Sequence, residues 1–303
     1  MKITPRLAAR FLLLTLWLVH WLPLSVQAGI GRGFGWLLYR LAAARRSIAL
    51  RNLELCLPEL EPPAREAIAR EHFGWLARSL VERGLLWHAS RARLKQLIHV
   101  AGDVGLAERS ARPVMWLVPH FVGLDVAGIA ALLFQTKHAA SMYQAQSNAV
   151  LDAALRRGRL RLGNAAIYSR SESAKPLVRA IRRGDAFFNL PDMDFGARDA
   201  AFVPFFGIPA ATLLAPSRMA RALDMIVQPV LATLLPGGQG YRVEFLPPWD
   251  DFPSDDARAD TARLNRWIEE RIRANPAQYL WVHKRFKTRP DGEPPLYDGS
   301  PHR

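Results

Sequence analysis

In the segment Val118-Pro119-His120-Phe121-Val122-Gly123-Leu124-Asp125, a histidine and an aspartate lie five positions apart. A histidine whose tautomer is fixed by a carboxylate is a general base, the group a hydroxyl nucleophile needs near neutral pH. On one continuous helix five residues advance about 500°, which points the two side chains roughly 140° apart. Contact therefore requires a turn between them, and Gly123 permits one. The same spacing also suits a histidine satisfied elsewhere beside an aspartate that caps a helix. The preceding run Val114-Met115-Trp116-Leu117-Val118 reads as a short buried strand. His120 then falls where a strand ends and a loop begins, a common seat of chemistry in α/β proteins.

Four further segments carry chemistry-bearing residues. Asn189-Leu190-Pro191-Asp192-Met193-Asp194-Phe195-Gly196 places two acids after another apolar run. Such acids orient a base, bind a hydroxyl or, with more oxygen ligands than can be located here, hold a divalent metal; turn capping explains them equally. Ala201 to Thr212 contains Phe202, Phe205, Phe206, Pro204 and Pro209, a rigid apolar loop suited to an acyl-chain tunnel or to core packing. Ala149 to Gly163 carries Arg156, Arg157, Arg159 and Arg161, a guanidinium fork for phosphate or a solvated helix face. Gln278 to Pro290 interleaves aromatics with His283, Lys284, Arg285, Lys287 and Arg289, a surface for lipid phosphates or an acidic protein. His283 reads as structural, because no carboxylate lies near it in sequence.

The elements that must position these residues alternate. Strand-like runs at 114–118, 139–143, 186–190, 225–235 and 241–245 are interleaved with helical stretches at 125–134, 149–162, 173–183, 215–223 and 257–274. This predicts an α/β fold with a mainly parallel central sheet flanked by helices. Before it, 33–51 reads as a helix with an arginine face. The prolines at 58, 62 and 63 mark a loop, and 64–97 reads as one or two amphipathic helices with Phe73, Leu76, Leu80 and Leu85 inward.

Phe11 to Ile30 is nearly free of charge, long enough to cross a bilayer, and preceded by Lys2, Arg6 and Arg10. A cleaved leader ending near Val26-Gln27-Ala28 and a buried helix are alternatives. The arginines that follow the stretch disfavour export, and a retained N-terminal membrane anchor over 1–30, ahead of one domain over 31–303, is the expected organisation. A single cysteine, Cys56, excludes an internal disulfide and any cysteine-based metal site. The net charge is +14 and, with only six lysines among 41 basic residues, arginine dominates. Such a surface favours phosphates, anionic lipids or acidic proteins. The basic residues are spread along the chain with no zinc-finger or basic-zipper spacing, which argues against nucleic acid.

Taken in order, these motifs resemble the late acyltransferases of bacterial lipid A biosynthesis, the lauroyl/myristoyl type. The matching residues are Asn52-Leu53…Leu57-Pro58, His120-x4-Asp125, Met142-Tyr143…Asn148 leading to Arg159-x-Arg161, Pro191-Asp192-Met193-Asp194-Phe195-Gly196, Phe202-Val203-Pro204-Phe205-Phe206-Gly207 with Ala210-Ala211-Thr212, and Trp281-x-His283-Lys284-Arg285-Phe286-Lys287. The glycerolipid acyltransferases share His-x4-Asp but are expected to carry Phe-Pro-Glu-Gly where this chain has Leu190-Pro191-Asp192. Three positions depart from the pattern: Met193 for Gln or Glu, Ala149 for Pro, and Gln144 for a frequent Arg, which leaves phosphate contact to Arg159 and Arg161.

The resemblance implies a glycerolipid-acyltransferase-like fold and transfer of a fatty acyl group from acyl carrier protein to a hydroxyl of a lipid A precursor. The transfer is direct, with no acyl-enzyme, metal or cofactor. His120 would be the base and Asp125 its orienting acid, with backbone amides near Gly123 facing the oxyanion. Asn148, Arg159, Arg161, Asp192 and Asp194 would bind the acceptor. Phe202, Phe205 and Phe206 would bound the acyl tunnel. Lys284, Arg285 and Lys287 would meet the carrier or the membrane. The implied location is the bacterial inner membrane, with the catalytic domain on its cytoplasmic side. Two alternatives remain: a related acyltransferase acting on another glycolipid or aminolipid, and a non-catalytic membrane-binding homologue.

Overall fold

The computed structural model describes residues 4–171 and 173–297; Lys2 lies outside them. The chain opens with helices α1 (Pro5–Val19), α2 (Leu24–Leu41), α3 (Ala43–Cys56), α4 (Pro62–Val81), α5 (Arg83–His88) and α6 (Arg91–Leu97). The α/β portion follows as β1 (Ile98–Gly102), α7 (Leu106–Arg109), β2 (Val114–Leu117), α8 (Leu124–Leu133), β3 (Ala139–Tyr143), α9 (Ala149–Leu160), β4 (Ala165–Ser169), α10 (Lys175–Arg182), β5 (Ala186–Asn189), β6 (Ala200–Phe205), β7 (Ile208–Leu213), α11 (Ala215–Ala222), β8 (Ile226–Leu234), β9 (Tyr241–Phe245) and α12 (Ala257–Ala274).

Seven strands form the main sheet in the order β1-β9-β8-β2-β5-β3-β4. The run β8, β2, β5, β3, β4 is parallel; β9 pairs antiparallel with β8 and carries β1 parallel to itself. The mainly parallel sheet is as the sequence predicts. β2 sits near its middle with all four residues buried, which is why it reads as an unbroken apolar run. Its side chains alternate between two cores: Met115 and Leu117 join Phe73, Phe187 and Ile268 on one face, while Val114 and Trp116 join Val126 and Ala130 of α8 on the other.

Three elements depart from the sequence expectation. β1 and β4 lie at the two sheet edges, half covered, and lack the apolar run that marks central strands. The phenylalanine segment is a hairpin, β6 against β7, rather than a loop. Phe206 and Gly207 take consecutive positive φ angles of 50° and 75° at its tip, the backbone of a two-residue turn matched to strand twist. Residues 62–97 form three helices, with Phe73 and Leu85 fully buried and Leu76 and Leu80 half-buried.

The N-terminal anchor expected as one long apolar helix is corrected by the structure. Among the described residues, no helix is long and apolar enough to cross a membrane. The apolar stretch breaks at Trp21-Leu22-Pro23, because proline removes a backbone donor and prevents the helix continuing. Gln27, fully buried, donates to the Leu22 carbonyl freed there (2.9 Å). α1 and α2 are instead amphipathic. α1 exposes Leu7, Phe11, Leu14 and Leu18 on one side, with Leu12 and Trp17 flanking them, and α2 exposes Val26, Ile30, Phe34, Leu37 and Leu41 on one side, with Trp36 on another. α2 runs across residue 30 and packs on α4 so closely that a Cβ on Gly35 would meet the Gly74 Cα at 2.5 Å.

Candidate active site

Parallel pairing of β2 with β5 aligns Leu117 with Asn189. The pairing persists one step further, Val118 N–H donating to the Asn189 carbonyl (2.9 Å). Both chains then leave the sheet side by side, and the register that pairs residue 117 with 189 carries His120 to Asp192. The His120 ring Nδ1 lies 2.7 Å from Asp192 Oδ1, and the His120 backbone N–H reaches Oδ1 and Oδ2 at 3.2 and 3.0 Å. With Nδ1–H donating to the carboxylate, Nε2 is the basic nitrogen. Asp192 is 1% exposed. Burial pushes its carboxyl up, but the His120 ring, its two hydrogen bonds and Arg285 outweigh burial and leave it below the ordinary range. Tyr279 faces the same carboxylate, and burial together with that charge raises its hydroxyl well above the usual value.

The C-terminal segment clamps the histidine turn. Val122 N–H donates to the Gln278 carbonyl (2.8 Å), and Leu280 N–H donates to the His120 carbonyl (2.9 Å). Asn52 holds that segment in turn, donating to the Trp281 and His283 carbonyls (2.7 Å each). Gly123 fits because a side chain there would strike the Ala232 carbonyl at 2.5 Å.

Asp125 is not the carboxylate on His120, a correction to the sequence expectation. It lies in the first turn of α8, where Arg159 (2.8 and 3.2 Å) and Arg83 (3.1 Å) bind it. Burial pushes this carboxyl up, and the two guanidiniums outweigh burial and hold it at about 2. The reason is geometric: the chain turns at Gly123 and enters α8, so His120 stays at the strand end while Asp125 leaves with the helix.

His120, Arg83 and Arg159 line one cleft of about 1030 Å³, with Tyr143, Gln144, Arg170, Met193, Phe195 and Arg198 on its walls. Arg170 stacks on Phe195, its guanidinium carbon 3.4 Å from the ring centre. α1 and α2 contribute Leu12, Leu13, Leu16 and Phe34 to the rim. A narrow apolar annex of about 70 Å³ adjoins the cleft, sharing Trp87, Leu124, Arg159, Phe188 and Leu190, and reaches between α8 and the sheet to Trp116, Leu132, Ala140 and Ala166.

The other residues singled out in the sequence take different places. Arg161 donates to the Leu86 (2.8 Å) and Ala89 carbonyls at the end of α5 and does not line the cleft. Asn148 caps α9, accepting from Val150 N–H (3.0 Å), and donates to the Pro5 carbonyl (3.1 Å). Asp194 accepts from the Thr288 N–H (2.6 Å) and hydroxyl (2.8 Å), fastening the C-terminal segment. Its own N–H donates to His283 Nε2 (3.1 Å). Burial, with His120 and Arg285 nearby, lowers His283 to about 4.

Phe202, Phe205 and Phe206 line neither the cleft nor the annex. Phe205 is buried against Tyr279 and Phe286, and Phe206 lies beneath Arg273. Arg285 is 2% exposed and donates to the Ala211 carbonyl (2.9 Å) and the Thr212 hydroxyl (2.7 Å), so it has no surface to offer a carrier or membrane. Lys287 is exposed, and Lys284 sits 5.5 Å from the Tyr297 ring centre. Arg83, Arg170 and Arg198 were missed in the sequence; each is one arginine among 35 with no motif around it.

A buried acid behind a histidine, beside a wide cationic cleft with an apolar extension, is the constellation of a hydrolase- or transferase-like centre, and among the described residues no serine, threonine, cysteine or lysine lines that cleft. Comparison with known proteins narrows this. Residues 3–288 match the family model for bacterial lipid A biosynthesis acyltransferase. Similar proteins include the lipid A biosynthesis lauroyltransferase and palmitoleoyltransferase of Escherichia coli (strain K12), each 33% identical over 285 residues and covering 93% of this chain and 92% of the relative. The lipid A biosynthesis myristoyltransferase of the same organism is 30% identical over 272 residues, 88% of this chain and 82% of the relative. The chain belongs to the bacterial lipid A biosynthesis acyltransferase family.

Proposed function

We propose that this protein transfers a fatty acyl group from acyl carrier protein to a hydroxyl of a lipid A precursor, at the cytoplasmic face of the inner membrane. The observation that carries this reading is the His120–Asp192 contact of 2.7 Å on the wall of the large cleft, in a chain of this family. His120 Nε2 removes the acceptor hydroxyl proton as that oxygen bonds to the thioester carbonyl carbon. The tetrahedral intermediate expels the carrier's thiolate, which takes the proton back from His120. Asp192 holds the ring and stabilises the imidazolium that forms. In this reading a backbone amide near Gly123, at the start of α8, donates to the oxyanion.

Arg83, Arg159, Arg170 and Arg198 give the cleft the positive charge that acceptor phosphates require, two of them prepositioned by Asp125. The annex receives the distal part of an acyl chain, since its walls are mostly apolar and it adjoins the cleft at Leu124 and Leu190. The net charge of +14 favours an acidic carrier. The test is purified protein with acyl carrier thioesters of graded chain length and a tetra-acylated disaccharide acceptor, read by mass spectrometry. Acyl transfer that survives His120→Ala at the wild-type rate overturns the mechanism. Transfer to a different lipid class alone overturns the acceptor.

A further inference from the structure

On the opposite flank of α2 from the cleft, α2 and α4 enclose a groove of about 750 Å³ whose lining holds five arginines and two glutamates. Four of its guanidiniums lie against aromatic rings. Arg40 lies 3.7 Å over Trp36, Arg46 and Arg70 each lie 5.4 Å from the Tyr39 ring centre, and Arg78 lies 4.9 Å from that of Trp75. Stacking fixes the planes without neutralising the charge. Arg70 is paired with Glu66 (2.5 Å) and the buried Arg78 with Glu82 (2.8 Å). Arg32, Arg40 and Arg46 have no ion pair among the described residues. Arg78, 2% exposed, also leaves its Nη2 without a hydrogen-bond partner at the floor.

We propose that this groove binds the phosphate headgroup of an anionic glycerophospholipid of the bilayer, at a site separate from the cleft. Three guanidiniums without an ion pair, two of them held against aromatic rings, match a phosphodiester in charge and geometry. The apolar complement lies on the same helix: Val26, Ile30, Phe34, Leu37 and Leu41 are exposed in one stripe. At about 100° per residue, Phe34 and Trp36 point roughly 160° apart. Phe34 lines the catalytic cleft and Trp36 lines the groove. One helix therefore separates the two openings and presents its apolar stripe between them. An acidic protein would match the charge but would leave that stripe bare. A lipid held in the groove sets its chains beside the stripe and keeps the cleft mouth against the membrane surface.

The test uses the full chain and its Arg32→Ala/Arg40→Ala variant, sedimented with vesicles of phosphatidylcholine alone or mixed equally with phosphatidylglycerol. Both residues are exposed and lie outside the catalytic machinery. The variant is expected to lose roughly tenfold to thirtyfold in partitioning to the phosphatidylglycerol vesicles. Binding to phosphatidylcholine and turnover of detergent-dispersed acceptor stay unchanged, and Arg32→Lys/Arg40→Lys restores part of the loss. A control of equal charge loss, Arg179→Ala/Arg182→Ala on α10, is expected to lose much less. An equal loss in the control shows diffuse attraction and overturns the site. Unchanged vesicle binding with a raised KM for the acyl carrier thioester assigns the groove to an acidic protein and overturns the lipid.

Discussion

Asp192 and Asp125 both lie close in space or sequence to His120, and the environment holds both carboxyls below their ordinary range. The causes differ. Asp192 is buried with the His120 ring and Arg285 as its neighbours, and it accepts hydrogen bonds from His120. Asp125 is gripped by two guanidiniums and has its charge absorbed by them. A low carboxyl pKa therefore does not identify the partner of a base; the direction of its hydrogen bonds does. Asp192 faces the histidine ring, whereas Asp125 faces two of the cations that line the cleft.

Three variants test this division. His120→Ala removes the base and is expected to lower kcat by about 10³- to 10⁴-fold, with folding intact by circular dichroism. Asp192→Asn keeps the shape but removes the charge and is expected to cost roughly 10²- to 10³-fold in kcat. The loss is expected in kcat with KM unchanged; a loss carried by KM alone makes Asp192 merely structural. Asp125→Asn is expected to act chiefly on KM for the acceptor and to lower stability by about 1 to 3 kcal/mol, since it leaves two half-buried guanidiniums unpaired. A loss of kcat equal to that of Asp192→Asn, without a change in KM, ends the distinction.

The third effect has a pH signature. Asp125 titrates at about 2 in the folded protein and near 3.8 when unfolded, so it stabilises the fold above the unfolded value. That contribution, about 2 kcal/mol, is lost as pH falls from about 4 towards about 2. His72 and His283, both lowered to about 4 from 6.5, act over a higher window. The unfolded chain binds their protons first, so stability falls as pH drops from about 6.5 to about 4. Urea midpoints across this range separate the windows: Asp125→Asn flattens only the lower one.

The smallest expected effect concerns chain length. Ala166→Leu narrows the annex and is expected to shift preference towards shorter acyl thioesters by a few-fold in kcat/KM, as one or two methylene contacts allow. Phe206→Leu, remote from the annex, leaves the preference unchanged. Reversal of the two results returns the acyl chain to the hairpin.

The central strands were legible in the sequence because burial on both faces makes them continuous apolar runs, as in Val114–Leu117. The edge strand Ala165–Ser169 was not, because half-covered edges carry no such run. His120 and the Asp192 turn were legible as polar residues at two strand ends, and the apolar stretch Phe11–Ile30 was legible as apolar without revealing that Pro23 divides it. Arg83 and Arg170 carried no signal, since each becomes distinctive only by facing a cavity.

Sequence alone determined the family, the alternating α/β order and the position of the histidine at a strand end. Only the tertiary structure decided which acid serves it. Asp125 is five residues away and was the natural choice by proximity along the chain. Asp192 is 72 residues away, brought to 2.7 Å because β2 and β5 are neighbours in a parallel sheet with Leu117 opposite Asn189. Strand order and register arise from burial and hydrogen bonding summed over the whole sheet, so no local pattern around His120 records them.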